Sequence, residues 1–132
     1  MREKEFRELI NYRMQRAMET LEEARVMAGI EHWNACANRL YYAAFYAVSA
    51  LLVKDGLSAK KHSGIKMLFN RHYIKTGRIS KEKGRLYNRL FDLRQEGDYL
   101  DFVALSKEEV APLVEATAAF VESIRSLLEA EV

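Results

Sequence analysis

One predicted helix carries apolar side chains around nearly its whole circumference, and this feature constrains the fold more than any other. The run from Leu40 to Val53 contains 14 residues, all apolar except for three Tyr and one Ser. A helix that is apolar on every side must be surrounded by other helices. The run is also shorter than the roughly 20 residues that span a bilayer. We therefore expect a buried central helix and no membrane span.

The rest of the chain shows the three- and four-residue apolar spacing of amphipathic helices. The first helix is predicted over 3–28, followed by Gly29, and the central helix begins at 30–31. A loop over 54–61 separates the central helix from a short third helix. The fourth helix is predicted from Ser80 to 95–97, and the capping box Ser106 to Glu109 opens the last helix. The predicted fold is all-α, an antiparallel helical bundle of four long helices plus one short helix. It forms a single domain over 1–132.

Charge and cysteine content narrow the class of protein without assigning a function. The net charge is +2, which permits contact with nucleic acid but does not demand it. The single cysteine, Cys36, cannot form an internal disulfide and lies in an apolar helical segment. The first five residues carry both charge signs, unlike a secretory signal. We expect a cytoplasmic protein.

The motifs of the common enzyme classes are missing from the sequence. There is no Gly-rich phosphate loop, Cys-x-x-Cys, His-Glu-x-x-His or Gly-x-Ser-x-Gly. The histidines His32, His62 and His72 stand apart from other metal-ligating residues on a shared helix face. We expect no metal site and no cofactor, and surface or helix-end positions for the histidines.

An aromatic segment on the central helix permits two interpretations. Residues 38–46 place several Tyr and Phe beside Arg39, an arrangement on which nucleotide bases can stack. Small Ala residues between aromatic ones also let neighbouring helices approach closely. The second interpretation is favoured by the spacing alone.

The most suggestive segment for chemistry is 94–99. We predict that a turn at Gly97 brings Asp98 and Tyr99 back beside Arg94, which gathers a cation, a carboxylate and a hydroxyl. A planar guanidinium matches the oxygens of a phosphodiester. Alternatively, Arg94 pairs with Asp98 and the last carbonyl groups and only locks the helix end, which is favoured by the spacing alone.

These segments together resemble the HEPN family (higher eukaryotes and prokaryotes nucleotide-binding), in its small stand-alone bacterial and archaeal branch. The resemblance extends over about residues 5–128. It rests on the order of three segments, which are Asn38-Arg39-Leu40-Tyr41-Tyr42-Ala43-Ala44-Phe45-Tyr46, Lys61-His62-Ser63-Gly64-Ile65, and Arg94 to Tyr99.

The resemblance implies a helical bundle that forms homodimers and is often paired with a minimal nucleotidyltransferase antitoxin. In active members, an Arg, a polar residue and a later His at the dimer interface form a metal-independent endoribonuclease site. Arg94 and Gln95 match the start of this motif, but Asp98 and Tyr99 stand near the position of the His. Tyr is a poor base at neutral pH. Tyr99 is a displaced counterpart of the tyrosine to which some partner transferases add AMP.

The resemblance therefore predicts a protein of a toxin–antitoxin type module that binds RNA or a nucleotide in a groove at a homodimer interface. Arg94, Asp98 and Tyr99 are the candidate catalytic residues of a degenerate endoribonuclease motif. The candidate ligand-binding residues are Gln95, Arg39, Tyr42 and His62. The alternatives are a non-catalytic interaction module that pairs with the nucleotidyltransferase, and an unrelated structural bundle.

Overall fold

A computed structural model describes residues 2–100 and 103–130 of the chain. The helices are α1 (Glu3–Gly29), α2 (Trp33–Lys54), α3 (His62–Phe69), α4 (Lys81–Tyr99) and α5 (Lys107–Ala130), with a π-helical turn at Asn70–Ile74 directly after α3. Four long helices and one short helix confirm the predicted all-α bundle. Asp101, which the sequence pattern places in the connection before the last helix, lies outside the described residues.

The central position of α2 follows from its composition. It packs against α1, α3, α4 and α5. Its buried residues include five alanines, among them Ala43 and Ala44, and these small side chains allow the neighbouring backbones to approach closely. Only one face of the helix, with the half-buried rings of Tyr42, Phe45 and Tyr46, reaches the surface. The aromatic segment therefore contributes side chains both to the core and to the surface of the protein.

The first boundary differs from the prediction in detail. Gly29 is the last residue of α1 and does not follow it, and the left-handed backbone conformation falls on Glu31, with φ of 60°. As a result, α2 begins at Trp33 and not at 30–31. The backbone amide of His32 donates to the Met27 carbonyl at 2.9 Å and closes the turn.

The predicted turn at Gly97 is wrong, because α4 continues through it to Tyr99. The reason for a glycine here is close packing. A Cβ at this position would lie 3.3 Å from a methyl group of Leu105 and 3.5 Å from the side chain of Asn34. Asp98 and Arg94 are therefore neighbours through the four-residue spacing of a continuous helix.

The two predicted N-terminal caps are confirmed. The Ser80 hydroxyl accepts from the Lys83 amide at 3.3 Å. The Ser106 hydroxyl accepts from the Glu109 amide at 3.2 Å, and the Glu109 carboxylate accepts from the Ser106 amide at 3.1 Å. These bonds satisfy amides that the first helical turn leaves free. Across the described part of the chain, no helix is long and apolar enough to cross a membrane.

Candidate functional site

The guanidinium of Arg94 is buried among aromatic rings near the C-terminal end of α4. Its residue is 4% exposed, and its central carbon lies 4.8 Å from the ring centre of Tyr41, 5.4 Å from that of Tyr99 and 5.7 Å from that of Tyr42. A guanidinium at these distances is attracted by the faces of the rings. The rings hold the cation in place without neutralising its charge.

The polar contacts of Arg94 leave it incompletely paired. Its Nη1 atom donates to the Tyr99 hydroxyl at 3.2 Å and lies 3.9 Å from a carboxylate oxygen of Asp98. That same oxygen accepts a shorter bond, 2.8 Å, from the Asn38 amide group. The buried Nε atom of Arg94 has no hydrogen-bond partner among the described residues. Because a buried donor without a partner is costly, Nε is the least satisfied polar atom of this arginine.

His62 supplies an imidazole that the linear motif lacks. It is the first residue of α3, and its Nδ1 atom lies 3.3 Å from Nη2 of Arg94. Since a guanidinium only donates, Nδ1 is the acceptor and the ring is neutral, with its proton on Nε2. Burial first, and then the positive charge of Arg94, lower the pKa of His62 below its usual value. The ring packs against Phe45, with centroids 4.6 Å apart.

We call Arg94, Asp98, Tyr99 and His62 the arginine cluster. The structure thus joins the three candidate catalytic residues to one of the four candidate ligand-binding residues, and Tyr42 borders the set through its ring contacts with Arg94 and His62.

Arg39 and Gln95 lie outside the arginine cluster. The central guanidinium carbon of Arg39 lies 5.3 Å from the ring centre of Tyr42. Its Nη1 atom forms an ion pair with a carboxylate oxygen of Glu23 at 3.0 Å. Gln95 is exposed, and no hydrogen bond between described residues connects it to the cluster. The polar residue of the sequence motif therefore does not contribute to the internal geometry of the site.

Asn34 positions the end of α4, although no sequence motif pointed to it. Its amide nitrogen donates to the carbonyls of Gly97 at 3.3 Å and Val103 at 3.0 Å, and its oxygen accepts from the Leu105 amide at 2.8 Å. One side chain thus ties α2 to α4 and to the segment before α5. A polar Asn in the first turn of a largely apolar helix was the sequence signal that could have identified it.

A large cavity between described residues does not contain the arginine cluster. It measures about 870 Å³ and lies where α1 begins and where α2 and α5 end, lined by apolar side chains such as Phe6, Ile10 and Leu128. Size alone does not make it the site, because the incompletely paired cation and the imidazole lie elsewhere. Within the described ranges, no three metal-ligating side chains come together.

The arginine cluster combines the groups that phosphodiester chemistry uses. A guanidinium can bind the phosphate oxygens, and a neutral imidazole with a lowered pKa can accept a proton near pH 7. The hydroxyl of Tyr99, which accepts from Arg94, can also donate a hydrogen bond beside the guanidinium. Tyr99 is 69% exposed. The Tyr99 side of the arginine cluster therefore faces the surface.

Comparison with known proteins identifies the family of the chain. The family model described as the HEPN domain matches residues 10–127. A UPF0332 protein of Thermotoga maritima is 43% identical over 98% of this chain and 96% of its own length. Two proteins of Methanocaldococcus jannaschii, named "Putative toxin MJ0142" and "Putative toxin MJ0605", are 30% and 29% identical over 87% and 96% of this chain, and over 78% and 93% of their own lengths. The chain belongs to the HEPN domain family.

Proposed function

We propose that this HEPN protein is a toxin that binds RNA at the arginine cluster, in a groove between two copies of the chain, and cleaves it. The observation that carries the proposal is the buried guanidinium of Arg94, which is only partly paired among the described residues and has an imidazole at 3.3 Å. The toxin role is supported by the names of the two Methanocaldococcus jannaschii relatives.

A phosphodiester fits the unmet bonding capacity of Arg94. The Asp98 carboxylate is nearly 4 Å away and already accepts from Asn38, so it neutralises the guanidinium only in part. An incoming phosphate oxygen would accept from the guanidinium in charge-assisted bonds, which are stronger than neutral ones. Binding would also draw Nη2 away from His62 and free the Nδ1 lone pair.

The homodimer is supported by the surface beside the cluster. Tyr99 and Leu100 are 69% and 56% exposed at the end of α4. These two adjacent side chains could be covered by another surface beside the arginine cluster. A twofold contact through this end of α4 would place two copies of Arg94 along one groove.

Cleavage would follow from proton transfer to His62. Nδ1 of His62 takes the proton of the ribose 2′-hydroxyl, the 2′-oxygen forms a bond to phosphorus, and the bond from phosphorus to the 5′-oxygen breaks. The departing 5′-oxygen takes a proton from water, and the imidazolium returns its proton to solvent. The products are a 2′,3′-cyclic phosphate and a 5′-hydroxyl. Arg94 stabilises the charge that develops on the phosphate.

The test compares wild type with Arg94→Ala and His62→Gln on single-stranded RNA in the presence of EDTA. We expect wild type to cleave, Arg94→Ala to lose both binding and cleavage, and His62→Gln to retain binding while cleavage falls by about 10²–10⁴-fold. The exposed His32 provides the matched control, because His32→Gln should cleave as wild type. Helical content is measured for each variant by circular dichroism. Full activity of Arg94→Ala would contradict the assignment.

The proposed partner is a minimal nucleotidyltransferase that acts as the antitoxin. The exposure of Tyr99 supports this pairing, because its hydroxyl is accessible at the edge of the site and a nucleotidyl group there would block the groove. Growth arrest upon expression of this chain alone, relieved by co-expression of the transferase, is the expected result. An interaction module without catalysis would give neither growth arrest nor RNA cleavage.

A further inference from the structure

A second, smaller cavity adjoins the arginine cluster and has His62 as a common wall. It measures about 240 Å³, and its lining includes Arg13, Phe45, Tyr46, Ala59, Lys60 and His62. We infer that this cavity, which we call the side cavity, receives the nucleobase next to the phosphodiester bound at Arg94. The inference rests on the proposed function and specifies its ligand as single-stranded RNA of at least two nucleotides.

The size of the side cavity limits what can enter it. Pockets that enclose whole drug-sized ligands measure about 300–1,000 Å³. The side cavity is smaller, so it suits one planar ring and not a complete nucleotide. The sugar and phosphate of the same nucleotide would then remain outside, on the side of Arg94.

The walls of the side cavity suit a planar aromatic ring. Phe45 and Tyr46 are half-buried neighbours on α2, with ring centroids 6.0 Å apart and ring planes at 67°. Tyr46 also lies beneath the guanidinium of Arg16, which is 5.1 Å from its ring centre. Aromatic side chains flanked by cations bind the bases of single-stranded nucleic acids without requiring a particular sequence.

Positive charge at the side cavity can follow the RNA backbone. The Arg13 guanidinium is oriented by a bond to the Ser49 carbonyl at 3.3 Å, and Lys60 is exposed in the loop before α3. Together with Arg94 on the other side of His62, these cations would flank a base on both sides with groups that attract phosphate. A base-paired duplex could not insert a base here, because entry requires an unpaired and unstacked nucleotide.

Close packing defines one wall of the side cavity. The loop residue Ala59 lies so near Gly64 that a Cβ at Gly64 would come within 2.9 Å of the Ala59 Cβ. This contact holds the loop against α3 and keeps Ala59 in the wall. The cavity is thus part of the packed fold and does not depend on a loop that closes over the ligand.

The experiment measures binding of a short single-stranded 2′-deoxy oligonucleotide, which lacks the 2′-hydroxyl and so is not cleaved. A second probe has the same backbone with abasic residues throughout. Tyr46→Leu removes the aromatic ring and keeps an apolar side chain, while Tyr46→Phe keeps the ring as the matched control. We expect Tyr46→Leu to lose about tenfold in affinity for the first probe, or about 1.4 kcal/mol, and nothing for the abasic probe. Tyr46→Phe should bind both probes as wild type.

Comparing the Tyr46 and Arg94 variants on both probes separates a wrong assignment of the side cavity from a wrong proposed function. If Arg94→Ala weakens binding of both probes while Tyr46→Leu weakens neither, the side cavity takes no base but the phosphate site stands. Equal loss for both probes in Tyr46→Leu would also overturn the base assignment. If wild type and Arg94→Ala bind both probes equally, the proposed function is wrong and the side-cavity inference falls with it. Circular dichroism of Tyr46→Leu confirms that the variant is folded.

Discussion

Nδ1 of His62 lies 3.3 Å from Nη2 of Arg94, although the two residues are 32 positions apart in the chain. Their side chains converge because α3 begins and α4 ends beside the same stretch of α2, where Tyr41 lies against both. The imidazole that the motif after Arg94 lacks is therefore present from another helix. Its protonation state becomes the main determinant of what the arginine cluster can do.

The first prediction is a pH dependence of RNA cleavage that belongs to His62. Burial and the charge of Arg94 lower its pKa below 6.5, so the neutral form that accepts the 2′-hydroxyl proton dominates at pH 7. The cleavage rate should rise with pH in the acid range, with its midpoint below pH 6.5, and level off above that midpoint. His62→Gln should remove this rise along with most of the rate. A rise with the same midpoint in the residual activity of His62→Gln would assign it to another group.

The second prediction concerns stability and needs no activity. The pKa of His62 is lower in the folded than in the unfolded chain, so below about pH 6.5 the unfolded chain binds more protons at this residue. The contribution of His62 to the free energy of unfolding is then nearly constant above that pH and falls as the pH decreases below it. Urea unfolding at several pH values should show a shallower decrease for His62→Gln than for wild type. Parallel curves would show that His62 is not desolvated.

Local sequence patterns were sufficient to predict the helices and their caps. The apolar circumference of α2 and the capping box at Ser106 depend on residues within a few positions of one another, and both are confirmed. The interpretation of Gly97 failed because a glycine can mark either a turn or a close contact. Only the tertiary packing of Asn34 and Leu105 against Gly97 distinguishes the two.

The arginine cluster was predictable only in part, for the same reason. Arg94 and Asp98 are neighbours along one helix, so their proximity follows from spacing. The position of His62 depends on how the loop after α2 returns the chain to the bundle, which periodicity does not specify. The resemblance to the HEPN family had selected His62 for the same groove, but its contact with Arg94 came from the structure.

The third prediction is that the thiol of Cys36 is unreactive in the folded protein. Cys36 is fully buried in α2, and burial raises its pKa to about 11. Because the thiolate is the reactive form, a thiol reagent at pH 7.5 should label almost no native protein. In denaturant, one thiol per chain should react. Rapid labelling of the native protein would show that α2 opens readily or is less buried than described.

The fourth prediction tests Asn34 as the residue that positions the end of α4. Asn34→Ala would leave the carbonyls of Gly97 and Val103 and the amide of Leu105 without their partner. An unsatisfied buried group costs about 1–3 kcal/mol, and we expect a decrease of that order in the free energy of unfolding by urea. Asn34→Asp keeps the acceptor for Leu105 but loses both donated bonds, so its stability should lie between those of wild type and Asn34→Ala.

The exposed Gln15 on α1 provides the matched control for this substitution. Gln15→Ala removes an amide side chain at the surface and should change stability by less than about 0.5 kcal/mol. Asn34→Ala should also weaken RNA binding, because Asp98 and Tyr99 follow directly after the anchored Gly97. Binding is measured under conditions in which the variant is fully folded. If Asn34→Ala lowers stability but binds RNA as wild type, Asn34 supports the bundle without positioning the arginine cluster.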